Sequence, residues 1–150
     1  MRLPIRLFLQ YASLRRGITL GVRGVALDDR GRVFLVRHSY VPGWYLPGGG
    51  VELGETVEAA LIRELMEEGG IALGEAPELF GIYLNRAVSV RDHVVVYVCR
   101  RCRQVTPLRL PNLEILEAGF FAPDALPQGS TEGTRRRLAE IAGASRSPEW

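Results

Sequence analysis

The amino-acid sequence predicts an α/β domain, and three observations carry that prediction. Five segments rich in β-branched and aromatic residues read as strands; a capped amphipathic helix interrupts them after the second; another helix closes the chain near residue 132. Strands broken by one central helix and closed by another fit an α/β sandwich around a mixed sheet. Periodicity alone does not choose among the architectures of that class.

The elements follow in order. Residues 1–16, MRLPIRLFLQYASLRR, mix Leu, Ile and Phe with four arginines, and read as a peripheral helical segment packed on the domain or against a partner subunit. A basic amphipathic segment can also lie on a membrane surface, a less favoured reading here. The domain proper is expected over residues 17–143, with 144–150 as a flexible tail. Ile18 to Leu27 and Arg32 to His38 read as strands around an Asp-Asp-Arg-Gly turn. The run Leu46-Pro47-Gly48-Gly49-Gly50 is excluded from ordinary strand or helix, because glycine permits positive φ and close backbone approach. A helix is expected from Thr56, its cap, to Gly69-Gly70, its stop, with Leu61, Ile62, Leu65 and Met66 as the apolar stripe. Strands are then predicted at Leu79 to Arg86, His93 to Arg101 and Leu113 to Phe121, and the last helix at Glu132 to Ala142.

Composition narrows the function classes. At 150 residues and 47% hydrophobic content, the chain is long enough to bury one sizeable core. No apolar run reaches the roughly 18 residues that span a bilayer and no cleavable signal is evident, so a cytoplasmic location is the default. All 19 basic side chains are arginine, and 17 acids leave a net charge of +2, too small to imply nucleic-acid binding. Cys99 and Cys102 form a single CxxC where structural zinc wants four ligands, so they read as free thiols; a strand running through both would point them to opposite faces. His38 and His93 read as strand-end or core histidines.

Chemistry concentrates on the central helix. At about 100° per residue, Glu64, Glu67 and Glu68 span roughly a 100° arc on one face. They repel one another, and in the last turns they oppose the negative end of the helix dipole. Arg63 reaches Glu67 only from the edge, leaving at least two charges uncompensated. A hard divalent cation, which prefers oxygen ligands, would turn that penalty into a site.

Counting from Gly49, the order is Gly, five residues, Glu55, seven residues, Arg63-Glu64-Leu65, one residue, Glu67-Glu68, one residue, Gly70-Ile71. This resembles the complete Nudix box over Gly49–Ile71, with no departure at a fixed position. The resemblance implies a Nudix-type α/β/α sandwich with a central mixed sheet. It implies Mg²⁺, or Mn²⁺ as a substitute, held by Glu64, Glu67 and Glu68 with the Gly48 carbonyl, while Gly49, Glu55, Arg63 and Gly70 are structural. The implied reaction is hydrolysis of the diphosphate in a nucleoside diphosphate linked to a group X, the metal lowering the pKa of a bound water and a glutamate acting as base.

The base is expected among Glu67, Glu68 and Glu114. Residues Leu113 to Phe121 and Pro123-Asp124-Ala125-Leu126-Pro127 resemble the late family segment in which a glutamate precedes an aromatic strand; Glu114 is the first choice there and Glu117 the second. Arg37, Arg86 and Arg91 are candidate phosphate counter-ions. Trp44 and Tyr45 are candidates to stack on a base, although packing of the loop is the favoured role. Two alternatives stay open: a catalytically silent nucleotide sensor, and an RNA-end pyrophosphohydrolase. The expected partner is a small nucleoside diphosphate derivative rather than nucleic acid or membrane, and a homodimer is expected because dimers are frequent in the family.

Overall fold

The structure is a computed structural model that describes residues 3–150; Met1 and Arg2 of the N-terminal segment lie outside the described residues. Helix α1 spans Leu3–Arg16. Its apolar side chains Leu7, Phe8, Tyr11 and Leu14 are exposed, Leu14 to 79%, so α1 stands off the domain.

Strand β1 (Thr19–Ala26) is central to the first sheet, paired in parallel with β7 (Asp92–Cys99) and antiparallel with β4 (Gly48–Gly50). β6 (Glu78–Leu84) completes the order β4-β1-β7-β6. The second sheet is β3-β2-β9, with β3 at Trp44–Tyr45, β2 at Val33–His38 and β9 at Ile115–Phe121. A small ladder joins β5 (Ile71–Ala72) to β8 (Arg103–Gln104). The expectation for the glycine run fails at β4, which is regular sheet: Gly48, Gly49 and Gly50 pair with Arg23, Val22 and Gly21. Glycine is required here for approach. Gly48 has φ 152°, and a Cβ on it would drive into the Val22 carbonyl and lie 2.9 Å from the Arg23 Cα.

The strand pleat divides the core into two layers, since alternate residues face opposite sides. Phe34 and Val36 of β2 join Val22, Leu61 and Leu65 beneath helix α2 (Val57–Gly69). Val33 and Leu35 point the other way, to Val25 and Tyr83 and to Leu138 of helix α3 (Glu132–Ile141). This is the α/β/α sandwich expected. Burying Leu61 and Leu65 seats α2 on the sheet, at about 1.5–3 kcal/mol for each side chain.

Two further expectations are overturned. Strand β7 stops at Cys99, and a turn through Arg101, at φ 54°, carries the chain back. The amide of Cys102 therefore donates to the Leu27 carbonyl, and both thiols end in one buried cluster rather than on opposite faces. They are free, as expected, and burial pushes Cys99 up to about 12 and Cys102 to about 11. Residues 144–150 are not a loose tail. The Trp150 amide donates to the Leu84 carbonyl, its ring packs edge-on to Tyr83, and the buried Arg137 guanidinium lies 3.9 Å from the Tyr83 ring centroid. An aromatic pair around a buried cation, with Arg137 also bonded to Glu140 at 2.9 Å, outweighs the fraying entropy.

Candidate active site on the central helix

The site begins with how α2 is seated. The Thr56 hydroxyl accepts from the Ala59 amide at 3.1 Å, and Gly70 closes the helix in the left-handed conformation, φ 61° and ψ 33°. Both caps stand where the sequence put them. The face that α2 buries differs from expectation. Ile62 and Met66 are exposed, whereas the buried residues are Ala60, Leu61, Glu64, Leu65, Glu68 and Gly69. At about 100° per residue Glu68 falls between Glu64 and Leu61, near the middle of the buried arc. Two of the three glutamates are thus inside: Glu64 is 9% exposed and Glu68 only 2%. Glu67 faces solvent, its side chain 58% exposed.

Buried carboxylates need partners, and each has them. The Arg63 guanidinium donates to Glu55 through Nε at 2.8 Å and Nη2 at 3.0 Å, to Glu64 through Nη1 at 2.7 Å and to the Gly50 carbonyl at 3.2 Å. It reaches Glu67 only at 3.4 Å. The edge contact of Arg63 with Glu67 is thus present but long, and the shorter bonds of Arg63 go to Glu55 and Glu64. These bonds hold Glu55 down at about 2 and Arg63 well above its ordinary value. Burial pushes the Glu64 carboxyl upward, Arg63 pulls it back, and the charges of Glu68 and Glu67 push upward again. Glu64 also rests against Gly49, where a Cβ would sit 2.7 Å from its carboxyl carbon.

Glu68 draws on the sheets. Its Oε2 accepts from the Gly48 amide at 3.0 Å, and its Oε1 lies 3.0 Å from His38 Nε2. The Gly48 carbonyl accepts from Arg23 at 3.2 Å, and the same guanidinium nitrogen donates to the Leu46 carbonyl at 2.9 Å. Among the described residues, no three His, Cys, Asp or Glu side chains converge as a finished metal cage. The carboxylates are shared out between Arg63, His38 and Gly48. Their chemistry still fits a hard divalent cation: three oxygen donors on one rigid helix, two of them desolvated, beside a glycine cradle that leaves Glu64 no room for a larger neighbour.

The remaining candidates separate. Glu114 is exposed in the loop before β9, and its carbonyl accepts from the Ser39 amide. That brings the loop to the end of β2, beside Tyr40. The Tyr40 hydroxyl is pushed up by burial, then by Glu68 and Glu114, against an opposing pull from Arg23. Glu117 pairs instead with Arg37 at 2.7 Å, and the pleat puts both on the face of β2 and β9 opposite α2. Trp44 packs edge-on to Phe121 at 5.0 Å, and Tyr45 belongs to the core beneath α2. Arg86 pairs with Glu149 at 2.8 Å, and Arg91 donates to the Gly17 carbonyl at 2.9 Å, both in the turn that joins β6 to β7. The structure thus gathers Glu64, Glu67, Glu68, Gly48, Gly49, Glu55 and Arg63, with Glu114 nearby, and leaves Glu117, Arg37, Trp44, Arg86 and Arg91 elsewhere.

The sequence did not single out His38, Arg23 or Tyr40 for the site. For His38 a signal existed: it continues the Phe34, Val36 side of β2 and so must meet α2.

A sequence model of the NUDIX domain matches residues 17–141. The chain belongs to the Nudix family. It is 30% identical over 122 residues to a MutT-like protein of Streptomyces ambofaciens, covering 81% of this chain and 75% of that one. It is 45% identical over 82 residues to an ADP-ribose pyrophosphatase of Methanocaldococcus jannaschii, of which it spans only 47%. Among solved structures, a MutT Nudix hydrolase of Burkholderia pseudomallei superposes with a TM-score of 0.69 at 32% identity, over 82% of this chain and 97% of the other. As a Nudix protein with this site, the chain is a hydrolase acting on acid anhydrides. No helix among the described residues is long and apolar enough to cross a membrane.

Proposed function

We propose that the protein hydrolyses the diphosphate of a small nucleoside diphosphate derivative, in a reaction dependent on Mg²⁺ or Mn²⁺. The observation that carries this reading is the burial of Glu64 and Glu68 against the glycines of β4. Desolvating two like charges costs several kcal/mol for each ion before compensation, and the pair is explained where a cation is to be met. Glu64, Glu67 and Glu68 would hold the ion. When bound, the ion supplies charge neutralisation at the diphosphate and Lewis acidity.

The chain's own groups do the rest. Arg63 and Glu55 fix the glycine strand to α2. In this reading Glu114, from the loop beside Tyr40, takes the proton as water oxygen bonds to phosphorus. The bridging P–O bond breaks, giving a nucleoside monophosphate and phosphorylated X, or pyrophosphate where the substrate is a triphosphate.

Purified protein with Mg²⁺ and a panel of nucleotide sugars, dinucleoside polyphosphates, ADP-ribose and nucleoside triphosphates tests this by monophosphate or phosphate release. Glu67→Gln is the control, expected to lose at least about 100-fold in turnover. Equal activity in the two proteins would falsify the assignment. Tight nucleotide binding without turnover across the panel would favour a sensor, and activity confined to triphosphorylated RNA an RNA-end enzyme.

A further inference from the structure

We propose that His38 is a positioning residue, the second of two clamps that fix the Glu68 carboxylate for the cation. The inference rests on the reading of Glu68 as a cation-binding carboxylate and adds to it how that carboxylate is aimed.

Glu68 enters the site from a helix, and a glutamate has three side-chain torsions to settle. One oxygen is fixed from β4 by the Gly48 amide and the other from β2 by His38, each at 3.0 Å. Because a carboxylate only accepts, His38 supplies the Nε2 hydrogen; Nδ1 has no hydrogen-bond partner among the described residues. Both side chains are 3% exposed, so water does not compete for the bond. The imidazole is itself held, with the Tyr40 ring at 5.0 Å and the Tyr45 ring edge-on at 5.7 Å. Two strands from different sheets therefore grip one carboxylate, leaving each oxygen a free lone pair. Groups that orient a metal-binding side chain are commonly worth 10- to 100-fold in metal affinity.

His38 has no route to the substrate except through Glu68, which sets the test. Mn²⁺ binding to the nucleotide-free protein is measured by the loss of the free-ion electron paramagnetic resonance signal, at a temperature where circular dichroism shows every variant folded. Mn²⁺ uptake by the unaltered protein tests the underlying reading, and no uptake there overturns both. With uptake established, His38→Ala is expected to weaken Mn²⁺ binding about tenfold or more and to lower kcat rather than raise KM. His38→Gln, whose amide nitrogen can reach the Nε2 position, is expected to recover affinity to within about threefold. Two results overturn the proposal: His38→Ala binding Mn²⁺ as tightly as the parent whatever its melting temperature, or His38→Gln as impaired as His38→Ala.

Discussion

Replacing Gly49 by alanine tests the glycine cradle directly. The new Cβ would lie 2.7 Å from the Glu64 carboxyl carbon, where van der Waals contact wants about 3.5–4.0 Å, so roughly 1 Å must be found. Strand β4 cannot supply it, because Gly49 is paired with Val22 and its neighbour Gly48 is pressed against the Val22 carbonyl. The Glu64 side chain must swing instead, giving up its 2.7 Å bond to Arg63. A charge-assisted bond is worth about 1.5–3 kcal/mol, and Glu64 regains part of that by reaching water, so a net loss near 1 kcal/mol is expected. In a domain of this size that lowers Tm by only about 2–4 °C.

Function should suffer far more than stability, since one of three carboxylates has left its place. Turnover at saturating nucleotide with limiting Mg²⁺ is expected to fall at least about 100-fold. The double-mutant cycle with Glu64→Gln decides whether the loss runs through Glu64: if it does, Gly49→Ala adds little to Glu64→Gln alone. Turnover within about threefold of the parent, or losses that multiply in the double variant, would refute the cradle argument.

Three other outcomes follow from the geometry. Glu114→Gln should reduce kcat by about 10²-fold or more if that loop carboxylate is the base, whereas Glu117→Gln, on the other face of the sheet with Arg37, should stay within about threefold. Cys99, Cys102 and Tyr83 have folded values near 12, 11 and 12, all raised; the stability they contribute is whole below their unfolded values and is lost as pH rises towards the folded ones. Stability measured by equilibrium denaturation should therefore fall from about pH 9 upward, and both thiols should resist iodoacetamide at pH 8 until denaturant is added. Removing residues 1–16 should leave turnover and melting temperature nearly unchanged, because Leu7, Phe8, Tyr11 and Leu14 of α1 are exposed; a fall in Tm beyond about 5 °C would show that α1 packs in solution.

What the sequence made legible and what it did not divide along a physical line. The caps of α2, the turn at Gly31 and the order of strands and helices are local, and local chemistry dictates them: a threonine hydroxyl reaches the amide three residues on whatever else the chain does. The orientation of α2 is not local. Its residues offered two seats, one on Leu61, Ile62, Leu65 and Met66 and one on Ala60, Leu61, Leu65 and the glutamates, and hydrophobicity favours the first. The second wins because the sheets meet α2 with polar groups already aimed. His38 stands at the end of β2 and the Gly48 amide in β4, and neither is visible from the spacing of the glutamates. The order of residues 144–150 escapes the sequence for the same reason, since Arg137, Tyr83 and Trp150 lie far apart in sequence and meet only in the fold. A helix that sinks carboxylates and leaves Ile62 and Met66 in water has spent stability on the site, and its preference between these two seats can be measured. Glu68→Leu should raise the melting temperature if the buried charge is the cost argued for it, provided Leu fills the space beside His38. A fall of several degrees would instead make the Glu68 clamp a stabilising network, and burial of Glu68 would no longer speak for a ligand.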